Sequence, residues 1–135
     1  MDNKLQTRLL PRYLFLAEMN PGTNDTNAFD LTYDDHLAQL TSVPGVAAAA
    51  RAWTHPAQVV IDGEVHSLPT RAGPSHAALY AIDSPSVLLS DEWRRAVDAG
   101  SWASSTRAQT SDREHRILRV ASWWAEGRRV DEGQP

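Results

Sequence analysis

The order of extended and helical segments constrains the fold of this chain more than any other sequence feature. Residues 13–19 form an apolar run of strand length, which Asn20-Pro21-Gly22 ends by turn chemistry. A helical stretch begins within residues 24–27, where several residues suit a helix N-cap, and it ends at Pro44-Gly45. Its apolar residues recur at the spacing of one helical stripe: Phe29, Tyr33, Leu37 and Leu40.

A strand and a hairpin follow the first helix. Residues 46–54 are rich in alanine, but their short length between two turn signals and their alternation of large and small side chains favour a strand. Asp62-Gly63 separates two β-type runs, and this dipeptide is a strong hairpin signal. We therefore predict a hairpin with strands over 58–61 and 64–68.

The last third of the chain predicts a strand, a helix and a strand. Residues 76–82 are an apolar run of strand length, a helix starts at Ser84-Pro85 and ends near Gly100, and residues 113–122 alternate as a final strand. The complete order is β-α-β-hairpin-β-α-β. This is the order of an α+β, ferredoxin-like subunit with an inserted hairpin.

Such a sheet has one face that the two helices cover and one face that they leave open. We expect the open face to carry Trp53, His55, Tyr80 or its neighbours, and aliphatic groups. An open apolar face of this size needs a partner. A second copy of the chain, packed sheet to sheet, predicts a homodimer.

Length and composition exclude several classes of protein. The 135 residues fit a single domain, with a core over about residues 12–122 and a polar tail over 125–135. The net charge of −4 disfavours nucleic-acid binding, and the absence of cysteine excludes disulfides and thiolate metal sites. No apolar run approaches the roughly 20 residues of a membrane span, and residues 1–20 lack a secretion signal, so we expect a cytoplasmic protein.

Three motifs resemble those of a known family. Tyr33-Asp34-Asp35-His36-Leu37 lies on the first helix, Pro44-Gly45-Val46 opens the second strand, and Leu79-Tyr80 with Ser84-Pro85 follows at the third main strand. In order and spacing they resemble the EthD-like proteins of the dimeric α+β barrel superfamily, over roughly residues 12–122. The sequence departs from that pattern in three ways: Tyr33 lies three rather than four residues before His36, Ala38 replaces the usual proline, and the stretch 56–74 is longer than usual.

The resemblance implies a homodimer with an eight-stranded barrel core. It also implies a pocket between sheet and helices that holds small, mostly apolar or polyketide-like molecules. Related proteins include cofactor-free monooxygenases, lactone isomerases, polyketide cyclases, aromatic decarboxylases and haem-degrading enzymes. Such a fold does not by itself decide the reaction.

Four residues are candidate catalytic groups. The resemblance places the helix histidine, His36, at the cavity edge, where an imidazole serves as general acid or base; the alternative is a histidine that orders the turn before Pro44. His55 or His76 is the second candidate proton carrier. Tyr80 lies on the same strand face as His76 and donates a hydrogen bond to a developing oxyanion, unless it is a core aromatic.

Six further residues are candidate substrate contacts. Arg51 and Trp53 share a strand face with His55 and suit a planar or anionic ligand, although a dimer interface is the alternative. The others come from separate segments, and each has a structural or solvent-exposed alternative: Tyr33, His66, Trp102 and His115. Of these, Trp102 lies in an aperiodic segment, from which it could close a pocket mouth.

The five histidines show no close metal-ligand spacing, so we predict neither a metal site nor a cofactor. The sequence and the resemblance together predict a cofactor-independent acid–base enzyme, a lyase, isomerase or cyclase, that acts on a small hydrophobic substrate of aromatic or polyketide-like character. The alternatives are a cofactor-free monooxygenase of a phenolic substrate and a non-catalytic dimer that binds small molecules.

Overall fold

The computed structural model describes residues 10–22, 27–69, 73–100 and 102–130. Its strands are β1 Tyr13–Asn20, β2 Val46–Trp53, β3 Ala57–Ile61, β4 Glu64–Leu68, β5 His76–Ile82, β6 Ser111–Arg119, β7 Trp123–Ala125 and β8 Arg128–Val130. Its helices are α1 Asn27–Leu40 and α2 Asp91–Val97. Shorter helical turns are a 3₁₀ turn Pro85–Leu89, a π-helical turn Trp102–Thr106 and a 3₁₀ turn Arg107–Gln109.

Four strands form one antiparallel sheet in the order β2-β5-β1-β6. The first and third main strands, β1 and β5, lie at its centre, and the second and fourth, β2 and β6, lie at its edges. This confirms the predicted ferredoxin-like α+β order. The alanine run on β2 is extended, because pairing with β5 overrides the helix propensity of alanine.

Helix α1 packs on the sheet through the predicted stripe. Phe29, Tyr33, Leu37 and Leu40 are all buried, and they meet the inward side chains of the two central strands. His36 is also buried, with 5% of its surface exposed. The N-cap candidates at residues 24–26 lie outside the described residues.

The second helical stretch is divided at Ser90. The Ser84 hydroxyl caps the 3₁₀ turn, and the Ser90 hydroxyl accepts a hydrogen bond from the Trp93 N–H at 3.1 Å. Ser90 has extended backbone angles, so it starts α2 as an N-cap and ends the preceding turn. The prediction of a single helix from Ser84 to Gly100 is therefore wrong, because Ser90 acts as a second N-cap and divides the stretch into a 3₁₀ turn and α2.

The predicted hairpin is present as β3 and β4. Asp62 and Gly63 both have positive φ, at 54° and 77°, as a tight type I′ turn requires. Nearly every side chain of this hairpin is exposed.

A second hairpin lies where the sequence indicated only a polar tail. Strands β7 and β8 pair around Glu126 and Gly127, which also have positive φ. The predicted last strand over 113–122 thus ends at Arg119, and the chain turns into this hairpin. The Trp123 indole N–H donates to the Pro11 carbonyl oxygen at 2.9 Å, which fixes the hairpin against the start of β1. Residues 131–135 lie outside the described part of the chain.

The strand register shows which side chains face the helices. Trp53 pairs with His76, whose ring packs edge-on against Phe29 of α1, and Tyr80 is buried against the same core. The prediction that Trp53 lies on the open face is therefore wrong, because the bulge near the start of β2 turns Trp53 toward the helices. Tyr80 also faces the helices, whereas its neighbours Leu79 and Ala81 lie on the open face, as the prediction allowed. Besides the charged residues Glu18, Glu114 and Arg116, the open face carries leucines and alanines: Leu14, Leu16, Leu79, Leu118, Ala48, Ala50, Ala52, Ala77 and Ala81.

Among the helices of the described residues, none has the length and apolar character needed to cross a membrane.

Candidate functional site

A cavity of about 210 Å³ lies between the helix-covered face of the sheet, helix α1 and the turns of residues 102–109, which we call the roof segment. Aromatic and aliphatic side chains form most of its wall, with two histidines and two arginines among them. The lining residues are Phe15, Ala17, Met19, Tyr33, His36, Leu40, Tyr80, Trp93, Val97, Trp102, Arg107, Arg113 and His115.

Trp102 covers the cavity from the roof segment. Its ring stacks on Tyr33 at 4.4 Å and on His36 at 5.4 Å between ring centroids, with interplanar angles of 19° and 27°. Tyr33 and His36 are three residues apart on α1, so they present neighbouring rings to one indole. The hydroxyls of Thr32 and Thr106 lie 3.1 Å apart and tie the roof segment to the helix.

His36 is the buried polar group of the site. Its Nδ1 atom is buried and has no hydrogen-bond partner among the described residues. Burial, followed by the nearby positive charge of Arg107, lowers the pKa of His36 from 6.5 to about 4. The sequence places Asp34 and Asp35 next to His36 on the helix, and a half-exposed histidine there is expected to have a pKa near neutrality; this expectation is wrong. Neither carboxylate contributes to the shift, and the imidazole is neutral at physiological pH.

Tyr33 and Tyr80 form a hydroxyl pair at the cavity. A hydrogen bond joins their side chains, and burial raises the pKa of Tyr33 to about 12. Burial, together with this hydrogen bond, raises the pKa of Tyr80 further. Both phenols are thus neutral at physiological pH and can act as hydrogen-bond donors. Tyr80 is held by Phe15 at 5.8 Å and by Trp93 at 5.6 Å between ring centroids.

Basic groups line one part of the cavity. His115 stacks on Phe15 at 5.8 Å with an interplanar angle of 17°. Arg107 donates to the Val97 carbonyl oxygen and pairs with Asp98 at 3.3 Å. Arg113 lies on β6, two residues before His115 and on the same face of the strand, and it is exposed.

The other predicted site residues lie elsewhere. Arg51 pairs with Asp30 at 2.6 Å and Asp34 at 3.1 Å, and its guanidinium lies over the Phe29 and Tyr33 rings. These contacts give Arg51 a structural role that links β2 to α1, since its guanidinium N–H groups are bonded to residues of the helix.

Trp53 and His76 border a separate, shallower pocket of about 300 Å³, together with Asp30, Thr54 and Ser75. The Nδ1 atom of His76 lies 2.9 Å from the Ser75 hydroxyl, and burial is the main cause that lowers its pKa.

His55 and His66 do not line either of these pockets. His55 lies beyond the end of β2, so it does not continue the strand face of Arg51 and Trp53, and its Nδ1 is 2.6 Å from the Pro56 carbonyl oxygen. His66 is exposed on β4. The cavity thus unites Tyr33, His36, Tyr80, Trp102 and His115, and leaves out the other five candidates.

No group of three or more histidine and acidic side chains within ligand distance of one metal ion occurs among the described residues. The polar groups of the residues that line the cavity are imidazole, phenol, guanidinium and indole groups.

Eight of the thirteen lining residues were not predicted as site residues from the sequence: Phe15, Ala17, Met19, Leu40, Trp93, Val97, Arg107 and Arg113. Phe15, Ala17 and Met19 lie on one face of β1, and Arg113 lies on the same face of β6 as His115, so the two-residue period of a strand is a signal for these four. Arg107 lies in an aperiodic segment, where the sequence has no signal for the direction of its side chain.

No family model matches this chain, and no curated protein matches it. Its fold is similar to the crystal structure of a point mutant of SnoaB, described as a cofactor-independent oxygenase from Streptomyces nogalater. The two chains are 16% identical with a TM-score of 0.52, over 84% of this chain and 97% of SnoaB. At this identity the likeness concerns the fold alone. This chain has the α+β fold of the subunits that form dimeric α+β barrels.

Proposed function

We propose that this protein is a cofactor-independent acid–base enzyme that acts on a small aromatic molecule in the cavity under Trp102. The observation that supports it most is the unpartnered Nδ1 atom of His36. A polar atom buried without a partner costs about 1–3 kcal/mol, so native proteins rarely keep one without a use. A ligand with a hydroxyl or carbonyl group would supply the missing hydrogen bond.

The shape and size of the cavity support a compact ring. An apolar cavity of about 150 Å³ accommodates benzene. The cavity here, of about 210 Å³, suits one or two fused rings rather than a larger polyketide. The rings of Tyr33, His36 and Trp102 stack on one another and form a rigid aromatic wall, against which such a ring would pack.

The side chains suit proton transfer. Neutral His36 is in the form that accepts a proton from a substrate O–H or activated C–H group, and negative charge that develops on the substrate would favour the resulting imidazolium. The Tyr80 hydroxyl donates its single O–H to Tyr33 in the free protein, and in the complex it would donate instead to the substrate oxygen that gains this charge. A lyase, isomerase or cyclase reaction would follow from the same proton transfer.

Cofactor-free oxygenation is the second candidate, and the description of SnoaB favours it. There the same deprotonation would give an electron-rich substrate anion, which molecular oxygen would oxidise. The two candidates need the same side chains and differ in their co-substrate.

The proposal includes a cytoplasmic homodimer. The open sheet face carries four leucines and five alanines, and the small alanines would let a second sheet approach closely. Pairing through this face is the arrangement that the resemblance to dimeric α+β barrels implies.

The test is turnover of a panel of hydroxylated one- and two-ring aromatics, analysed by mass spectrometry under air and under nitrogen. Turnover that persists under nitrogen supports the lyase, isomerase or cyclase class, and turnover that requires oxygen supports the oxygenase. His36→Gln should lower turnover about 10²–10⁴-fold, the range for loss of a general acid or base. His66→Gln, on the exposed hairpin, is the matched control. Turnover by H36Q within a few-fold of the unchanged protein contradicts the assignment, and saturable binding without turnover would indicate a binding protein.

A further inference from the structure

The charges around the cavity define the ligand more narrowly. Two arginines, Arg107 and Arg113, are among its lining residues, and none of the lining residues carries a carboxylate. The whole chain has a net charge of −4, so this local excess of positive charge runs against the composition of the protein. Basic groups that converge on an apolar cavity favour an anion there.

The two arginines differ in their partners. Arg107 is held by Asp98 and the Val97 carbonyl oxygen, so its position is fixed and its charge is partly balanced. Arg113 forms neither an ion pair nor a hydrogen bond within the described part of the chain. Arg113 lines the cavity two residues before His115, on the same face of β6, and its guanidinium donors have no partner in that part of the chain.

We propose that the cavity selects a monoanionic aryl ligand, whose ring packs in the cavity beside Trp102 and whose carboxylate or phenolate group binds Arg113 beside Arg107. This rests on the proposed function and specifies the substrate class of that site. A guanidinium matches such an oxygen anion in charge and in hydrogen-bond geometry. The orphan Nδ1 of His36 then meets a second polar group of the ligand or the edge at which it reacts.

Two probes of equal shape test the inference: 2-naphthoate, which is anionic at pH 7.5, and naphthalene-2-carboxamide, which is neutral. Both are titrated by calorimetry into the unchanged protein, Arg113→Gln and Arg94→Gln. Arg94 is an exposed arginine of α2 that pairs with Asp91 and does not line the cavity, so it is the matched control.

We expect 2-naphthoate to bind about 10-fold more tightly than the amide, because a hydrogen bond to a charged group is worth roughly one power of ten in affinity. R113Q should lose this preference and keep its affinity for the amide within about twofold, whereas R94Q should behave as the unchanged protein. Retained amide binding also shows that R113Q is folded.

The remaining outcomes contradict the inference in distinguishable ways. Equal affinity of the unchanged protein for both probes overturns the anion preference and leaves the proposed function standing. Undiminished preference in R113Q, or equal loss of both probes, overturns the role of Arg113. If neither probe binds the unchanged protein, both the anionic ligand and the aromatic cavity function are overturned.

Discussion

Replacing His36 with glutamine should flatten the acid side of the stability curve of this protein. His36 is buried and neutral in the folded chain, with a pKa of about 4, whereas in the unfolded chain its ordinary value is 6.5. Between these two values the unfolded chain binds a proton that the native chain does not. Stability from this residue is therefore complete above pH 6.5 and declines as the pH falls.

The size of the effect follows from the shift. One pKa unit corresponds to about 1.4 kcal/mol, so His36 should cost the native state about 2 kcal/mol between pH 7 and pH 5, and about 3 kcal/mol by pH 4. Glutamine keeps a polar side chain of similar reach and removes the titration.

The assay is urea unfolding at pH 7 and pH 5, followed by tryptophan fluorescence at fixed protein concentration. Two of the five tryptophans, Trp93 and Trp102, are buried and report on the core. The difference in unfolding free energy between the two pH values should be smaller in H36Q by about 2 kcal/mol. Equal losses in H36Q and the unchanged protein would refute the claim that His36 is held neutral by burial.

Four further results are expected. Leu16→Lys, on the open sheet face, should reduce the mass in light scattering from twice 14.9 kDa to the monomer value, whereas Leu31→Lys, on the outer surface of α1, should leave the dimer intact. Tyr80→Phe should fold normally and lower turnover about 10²-fold in steady-state assays, because it removes the donor to the developing charge. Arg51→Met should lower the free energy of unfolding in urea by about 1–2 kcal/mol, since it breaks the ion pairs with Asp30 and Asp34. Elemental analysis of the purified protein should find no stoichiometric transition metal.

The strand order, the α1 stripe and the Asp62-Gly63 hairpin follow from periodicity and turn chemistry, which are local properties of the sequence. Local periodicity does not predict which side chains of β2 face the helices. A bulge near its start reverses the alternation, and only pairing with β5 reveals it. The second hairpin was missed because β7 and β8 are three residues each, and Glu126-Gly127 is a weaker turn signal than Asp62-Gly63.

For the site, helical spacing places Tyr33 and His36 side by side, and this prediction needed no tertiary information. The burial of His36 depends on Trp102, which reaches it from a distant segment without periodicity. Arg51 shows the opposite case. Its strand and neighbours suggested a ligand contact, but two aspartates one helical turn apart on α1 occupy its donors.

The chain order of the cavity wall has an evolutionary consequence. Tyr33, His36 and Tyr80 belong to α1 and β5, which also hold the core together, so substitutions there endanger folding. Arg107 and Arg113 lie outside that core, within one continuous stretch that ends on an edge strand. Under the proposed function, exchange of that stretch between homologues would change which molecule is admitted without replacing the proposed proton-transfer groups. Such a scaffold would then acquire new substrates by local recombination and keep its reaction.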